Sequence, residues 1–115
     1  MDPAALYTQT LSQLDATELA MTSPEGNALI QNANPTDHQK AVQMLIAVHE
    51  ARLAMANANL QSIVTQLQAN EPALKKGIAA VKAATQTLND IAKIISSVSS
   101  FLQTVAKIVP MVAKV

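Results

Sequence analysis

The residues best suited to chemistry are two histidines, eight acids and a cluster of serines, and their spacing argues against a catalytic centre. The run from His49 to Leu53 (His-Glu-Ala-Arg-Leu) begins like the helix signature of zinc proteases. In that signature, two histidines four residues apart bind the metal from one helix face. Leu53 stands where the second histidine belongs, so one ligand is missing. We therefore interpret His49 as a polar residue that fixes the register of a packed helix.

Other reactive or ligand-binding patterns are equally weak. The serines at 96, 97, 99 and 100 lie among apolar neighbours, and no histidine is near them in sequence to act as a base. The chain has two glycines and no cysteine, which argues against a phosphate-binding loop and excludes disulfides and thiolate zinc sites. The C-terminal lysines are spread thinly, without the arginines and aromatics of a nucleic-acid surface. We therefore expect no enzyme activity, no cofactor, no metal and no nucleic acid.

Composition indicates one all-helical domain that covers residues 1–115. Half of the 115 residues are apolar but only 2% are aromatic, and good helix formers such as alanine, leucine and glutamine are prominent. The formal net charge is zero, yet residues 1–71 carry −5 and residues 72–115 carry +5. Two interpretations of this asymmetry stay open: the two halves face each other, or the charges are scattered and solvated.

Prolines and polar residues divide the chain into three predicted helices. The first spans about 3–21 and starts at Asp2-Pro3, and a connector follows over 22–36 in which Ser23-Pro24 could cap a further short turn. The second predicted helix spans about 37–70, a turn lies at 70–72, and the third spans about 73–109 with a tail to 115. Because a short connection makes neighbouring helices antiparallel, the predicted fold is all-α. We expect a long, coiled-coil-like, antiparallel two-helix hairpin with a shorter N-terminal helix, completed by oligomerisation.

Heptad spacing predicts the seam of that hairpin. On the second predicted helix, apolar residues alternate at intervals of four and three, which is typical of a surface that packs on a partner helix. The predicted seam consists of Ile46, Leu53, Leu60, Ile63 and Leu67 on the second helix, and of Leu74, Ile78, Val81, Leu88 and Ile95 on the third.

The third predicted helix carries more apolar surface than one neighbour can cover. Its apolar arc is roughly 140° wide, broader than a two-stranded seam. Each large aliphatic side chain left in water would forgo about 1.5–3 kcal/mol. The surplus row comprises Ile94, Phe101, Val105, Ile108 and Val112. It predicts contact with further copies of the chain, in a homo-oligomer. The alternatives are the first helix, another helical protein, or a lipid membrane.

Two functions fit this pattern. The first is a non-enzymatic structural or interaction protein that self-assembles through the surplus row, so that Phe101→Asp would separate the copies without loss of helicity. The alternative is a membrane-active hairpin, such as a small pore-former or a secreted translocator-type component, that inserts its C-terminal amphipathic helix. The start of the chain lacks the features of a secretory signal, and no apolar run reaches the ~18 residues of a membrane span. Localisation is therefore unknown, with the cytoplasm and export by a leaderless route both open.

Overall fold

The computed structural model describes residues 2–109, and within that range the chain forms six α-helices and no strand. This confirms the predicted all-α class. The helices are α1 (Pro3–Thr22), α2 (Pro24–Gln31), α3 (Pro35–Ala56), α4 (Leu60–Ala69), α5 (Glu71–Thr87) and α6 (Ile91–Ala106). They pack into a body that measures 42 × 28 × 19 Å.

Proline sets the start of the helices in the first third of the chain. Ser23 and Asn34 each precede a proline, which suits a helix's first turn because it has no N–H to satisfy there. The Ser23 hydroxyl accepts a hydrogen bond from the Gly26 N–H at 3.1 Å, and the Asn34 side chain accepts one from the Asp37 N–H at 2.8 Å. The predicted connector over 22–36 therefore contains a helix, α2.

The two long helices of the predicted hairpin are both interrupted, which corrects the sequence-based architecture. The predicted helix over 37–70 divides into α3 and α4 because the Asn59 side chain accepts a hydrogen bond from the Gln61 N–H at 2.9 Å and caps α4. The predicted helix over 73–109 divides into α5 and α6, where Asp90 caps α6 by accepting from the Lys93 N–H at 3.1 Å.

Leu88 ends α5 and reverses the chain. Its φ and ψ of 49° and 45° place it in the left-handed region, where a non-glycine residue costs roughly 1–2 kcal/mol. Only three residues separate α5 from α6, and such a short connection lets consecutive helices pack as antiparallel neighbours. The hairpin of this protein is thus formed by α5 and α6, within the predicted third helix.

The four long helices form a bundle. Helices α1 and α6 each pack against both α3 and α5, which gives the order α1–α3–α6–α5 around the core. Helix α2 packs against α1 and α3, and α4 packs against α1. The core is aliphatic around one buried ring, that of Phe101. Its largest fully buried side chains are Phe101, Leu6, Leu14, Met21, Met55, Leu67, Leu74, Ile94, Val48, Val81, Val98 and Val105.

Helix α1 brings polar side chains into this core. Thr10, Gln13 and Thr17 are buried on its inner face. The two threonine hydroxyls donate to the carbonyls of Leu6 and Gln13 one turn earlier, at 2.8 and 2.7 Å, and the Gln13 amide donates to the Thr17 hydroxyl at 3.2 Å. These hydrogen bonds lie within the helix, and no buried side-chain nitrogen or oxygen of residues 2–109 lacks a partner, so burial carries little penalty.

Candidate functional site: an exposed apolar face on α3

The row predicted to drive assembly lies in the core of a single copy, so that prediction is wrong. Ile94 is 0% exposed, Phe101 1%, Val105 0% and Ile108 4%. Val112, the last member of the row, lies outside the described residues. The wide apolar arc of α6 does need more than one neighbour. Both neighbours belong to the same chain: α3 packs on α6, and α5 also packs on it, because the break at 88–90 separates α5 from α6.

The predicted hairpin seam divides between buried, half-buried and exposed positions. Its buried members are Ile63, Leu67, Leu74 and Val81, and its half-buried members are Leu60, Ile78, Leu88 and Ile95. The first two residues of the seam, Ile46 and Leu53, are 55% and 44% exposed. Their assignment to a packed intrachain seam is therefore wrong.

Helix α3 presents two parallel stripes of apolar residues, and the bundle buries the stripe with the smaller side chains. Both stripes alternate steps of three and four residues, so both have the period of one helix face. The inner stripe consists of Ala41, Met44, Val48, Ala51 and Met55, all buried. Alanine lets neighbouring helices approach closely, and methionine fills irregular gaps. The larger aliphatic residues are left on the outside.

We define the α3 face as Val42, Ile46, His49 and Leu53, an exposed stripe on the outward side of this helix. At ~100° per residue, Ile46 and Leu53 lie almost opposite the middle of the inner stripe. Val42 is 41% exposed, and the stripe from Val42 to Leu53 is about 16 Å long. Leu19, 73% exposed on α1, lines a shallow depression of about 250 Å³ together with Arg52.

A charged cluster borders the α3 face on the α1 side. The Arg52 Nε–H donates to Glu18 Oε1 at 2.6 Å, and His49 Nδ1 lies 3.0 Å from Glu18 Oε2. Asp15 Oδ1 is 3.8 Å from Arg52 Nε. Glu18 therefore joins α1 to α3 through two side chains. This contact fixes the α1-side edge of the α3 face, where His49 lies.

Opposing effects act on the pKa of Glu18. Burial raises it, but the hydrogen bonds from Arg52 and His49, together with their charges, outweigh burial and hold the pKa below its ordinary value of 4.5. The folded state therefore binds a proton at Glu18 less readily than the unfolded state does. Its contribution to stability is present above about pH 4.5 and is lost as the pH falls through the folded-state pKa.

Glu18→Gln tests this linkage. We expect the substitution to lower the free energy of unfolding by up to about 1 kcal/mol at neutral pH, because the pair is partly exposed. The difference from the wild type should shrink as the pH falls through the folded-state pKa of Glu18, below which the wild-type carboxyl is also neutral. Urea unfolding across this range measures it. Glu25→Gln, which makes the same charge change on α2, is the control. A Glu18→Gln difference that stays constant with pH would contradict the linkage.

Within residues 2–109, no group of three or more His, Asp or Glu side chains is arranged to hold a metal ion. Within the same residues, no helix is both long enough and apolar enough to cross a bilayer. The serine cluster contributes Ser96, Ser97 and Ser100 to an open groove of about 370 Å³ between α5 and α6, which Lys76 also lines.

Comparisons of the chain with protein-family models, with curated proteins and with solved structures find no match. The function is therefore inferred from the geometry of the α3 face.

Proposed function

We propose that this protein is a non-enzymatic interaction protein that self-associates through the α3 face. The single observation that carries the proposal is the exposure of Val42, Ile46 and Leu53 on one helix whose buried stripe is made of smaller residues. Contiguous apolar surface of this kind is typical of a protein-binding site, whereas isolated exposed aliphatic residues are common.

The expected association is weak and reversible. With exposures between 41% and 55%, covering the three aliphatic side chains of the α3 face (Val42, Ile46, Leu53) would gain on the order of 2–4 kcal/mol per copy. Bringing two molecules together costs about 4–15 kcal/mol in lost freedom. These magnitudes favour a dissociation constant in the micromolar range or above. The zero net charge of the chain adds no long-range repulsion between copies.

A second copy of the chain is a better candidate than a lipid membrane to cover the α3 face. The residues that the membrane hypothesis would insert, Ile94, Phe101 and Ile108, are buried against the bundle. Their insertion would require α6 to leave α3 and α5 and expose the rest of the core. Docking on the α3 face requires no such opening, because its side chains are already at the surface.

The test is a double substitution, Ile46→Glu with Leu53→Glu, followed by sedimentation velocity over a concentration series. We expect the wild type to show a concentration-dependent increase in sedimentation coefficient and the double variant to remain monomeric at all concentrations. The reason is that each glutamate places a charge where apolar contact would form. Far-UV circular dichroism checks that the variant is folded.

The matched control is Ala83→Glu with Gln86→Glu. These exposed positions on α5 receive the same change in net charge away from the α3 face. The control should associate like the wild type, apart from a small general repulsion. The proposal fails if the wild type is monomeric at millimolar concentration, or if the Ile46/Leu53 variant associates as well as the control does.

A further inference from the structure

We infer that the turn at residues 88–90 is a hinge, and that its opening lets two copies of this chain exchange α6. In the closed state, which the structure shows, α6 packs against α3 and α5 of its own copy. In the open state, residues 88–90 become helical, α6 continues the direction of α5, and α6 takes the equivalent place in a second copy. This inference does not depend on self-association through the α3 face.

The connectivity of the bundle permits this exchange. Within residues 2–109, α6 is joined to the other five helices only through residues 88–90. Opening of the hinge therefore moves α6 as one unit and leaves α1 to α5 in place. The second copy offers α6 the same two neighbours, α3 and α5, so core packing is similar in both states. Exchange of an identical element between copies is a low-cost route to a dimer, because the two states differ mainly at the hinge.

Backbone strain at the hinge disfavours the closed state. Among residues 2–109, Leu88 is the only non-glycine residue with a positive φ, and its φ and ψ of 49° and 45° are left-handed. This conformation brings the leucine Cβ too close to the following carbonyl oxygen. A helical hinge gives Leu88 ordinary right-handed angles and releases the strain in both copies. Short connections under strain favour exchange between copies for this reason.

The sequence of the hinge is compatible with a helix. Residues 87–90 read Thr-Leu-Asn-Asp, without the glycine or proline that would interrupt a helix strongly. Apolar residues also continue through the hinge at steps of three and four, which is the spacing of one helix face. They are Val81, Ala84, Leu88, Ile91 and Ile95. The same residues therefore support the turn in the closed state and a helix in the open state.

Refolding at different protein concentrations tests the exchange. The wild type is unfolded in urea and refolded at millimolar and at low micromolar concentration, and the products are separated by gel filtration. We expect a dimer only at the higher concentration. This dimer should persist after dilution, because its return to monomer requires α6 to leave the core, which is slow. Weak association through the α3 face should instead reverse on dilution.

Substitutions in the hinge should change the yield of this dimer in opposite directions. Leu88→Gly should lower the yield at least about tenfold, because glycine adopts the left-handed conformation freely and weakens a helical hinge. Asp90→Ala should raise it about threefold or more, because it removes a cap of α6 that only the closed state uses. Gln86→Gly is the control, since this exposed residue of α5 is helical in both states. Its dimer yield should match that of the wild type.

A cross-link between α5 and α6 identifies which copy supplies α6. Ala80→Cys and Ser97→Cys are combined in one chain, which has no other cysteine, and both positions line the groove between α5 and α6. The persistent dimer is isolated in reduced form, and its thiols are joined with a short bismaleimide. We expect a covalent dimer on a denaturing gel, because position 80 of one copy then lies beside position 97 of the other. The monomer fraction, linked within one chain, is the control.

Two results would overturn the inference. If the linked dimer migrates as a monomer on the denaturing gel, each copy keeps its own α6. If neither the wild type nor Asp90→Ala forms a persistent dimer at millimolar concentration, the hinge does not open. Neither result affects the proposed function. The Ile46→Glu/Leu53→Glu variant should still form the persistent dimer, and its failure to do so would assign that dimer to the α3 face.

Discussion

Replacing Phe101 by alanine is expected to lower the free energy of unfolding by about 3–5 kcal/mol, a large part of the stability of a small domain. The ring is 1% exposed and is the one aromatic group among the fully buried side chains of residues 2–109. It lies directly on the backbone of α5, since a Cβ placed on Gly77 would be 2.8 Å from Phe101 Cδ1. Removal of the ring therefore leaves a cavity that rigid backbone cannot fill.

Urea unfolding monitored by far-UV circular dichroism measures this change, with Leu53→Ala as the control. Leu53 is nearly half exposed, so its truncation should cost less than about 1 kcal/mol. The more severe Phe101→Asp should unfold the chain outright, because an unpaired carboxylate would be buried. The sequence-based hypothesis instead predicts dissociated copies with intact helices. A folded, monomeric Phe101→Asp protein would show that the ring lies at an interface between copies.

The second large effect is a contrast between two positions on α3. Val48→Glu is expected to cost about 3 kcal/mol or more, because Val48 is 0% exposed and its replacement would bury an unpaired charge. Ile46→Glu, two residues away and 55% exposed, is expected to change stability by about 0.5 kcal/mol or less. Both substitutions add the same charge to the same helix, so the difference between their losses of stability reflects the burial of the two positions.

Thermal unfolding at low protein concentration checks the contrast, since dilution removes any stabilisation by self-association. If the two variants lose similar stability, then α3 does not have the register described here. If Ile46→Glu is the more damaging, the larger aliphatic stripe is the buried one and the α3 face does not exist as a surface.

Local signals in the sequence predict much of the secondary structure. Asp2-Pro3, Ser23-Pro24 and Glu71-Pro72 each lie at the start of a helix, because proline fits the first helical turn and disfavours helix before it. Periodicity also indicates that α6 needs more than one neighbour, and in the structure α3 and α5 both pack against it.

Periodicity does not reveal the two breaks that turn a hairpin into a bundle, because apolar spacing continues through Asn59 and through Asp90. The local signal at both breaks is residue type, since asparagine and aspartate are preferred N-caps and each caps a helix here. The sequence also does not predict the chain reversal at Leu88, because leucine rarely adopts a left-handed conformation. Without the break at 88–90, α5 and α6 would form one continuous helix, and the Ile94–Phe101–Ile108 row would lack α5 as a neighbour.

The candidate face was missed for a different reason. The stripe through Val42, Ile46 and Leu53 and the stripe through Val48 and Met55 have the same spacing, so periodicity gives no basis for a choice between them. Side-chain size favours the larger stripe as the buried one. Because α1 and α6 approach α3 closely, burial of the stripe with smaller side chains is favoured instead. The distance between these helices cannot be predicted from the sequence.

The exposure of the isoleucine methyl groups in a single copy tests most directly whether the α3 face lies at the surface and α6 in the core. Methyl NMR of isoleucine-labelled protein, at a concentration at which it is monomeric, is recorded with and without a soluble gadolinium chelate. We predict strong broadening of the Ile46 methyl signal and little broadening of Ile63, Ile94 and Ile108, which are 0–7% exposed. Broadening of Ile94 and Ile108 with protection of Ile46 would contradict the account and restore α6 as the unpartnered surface.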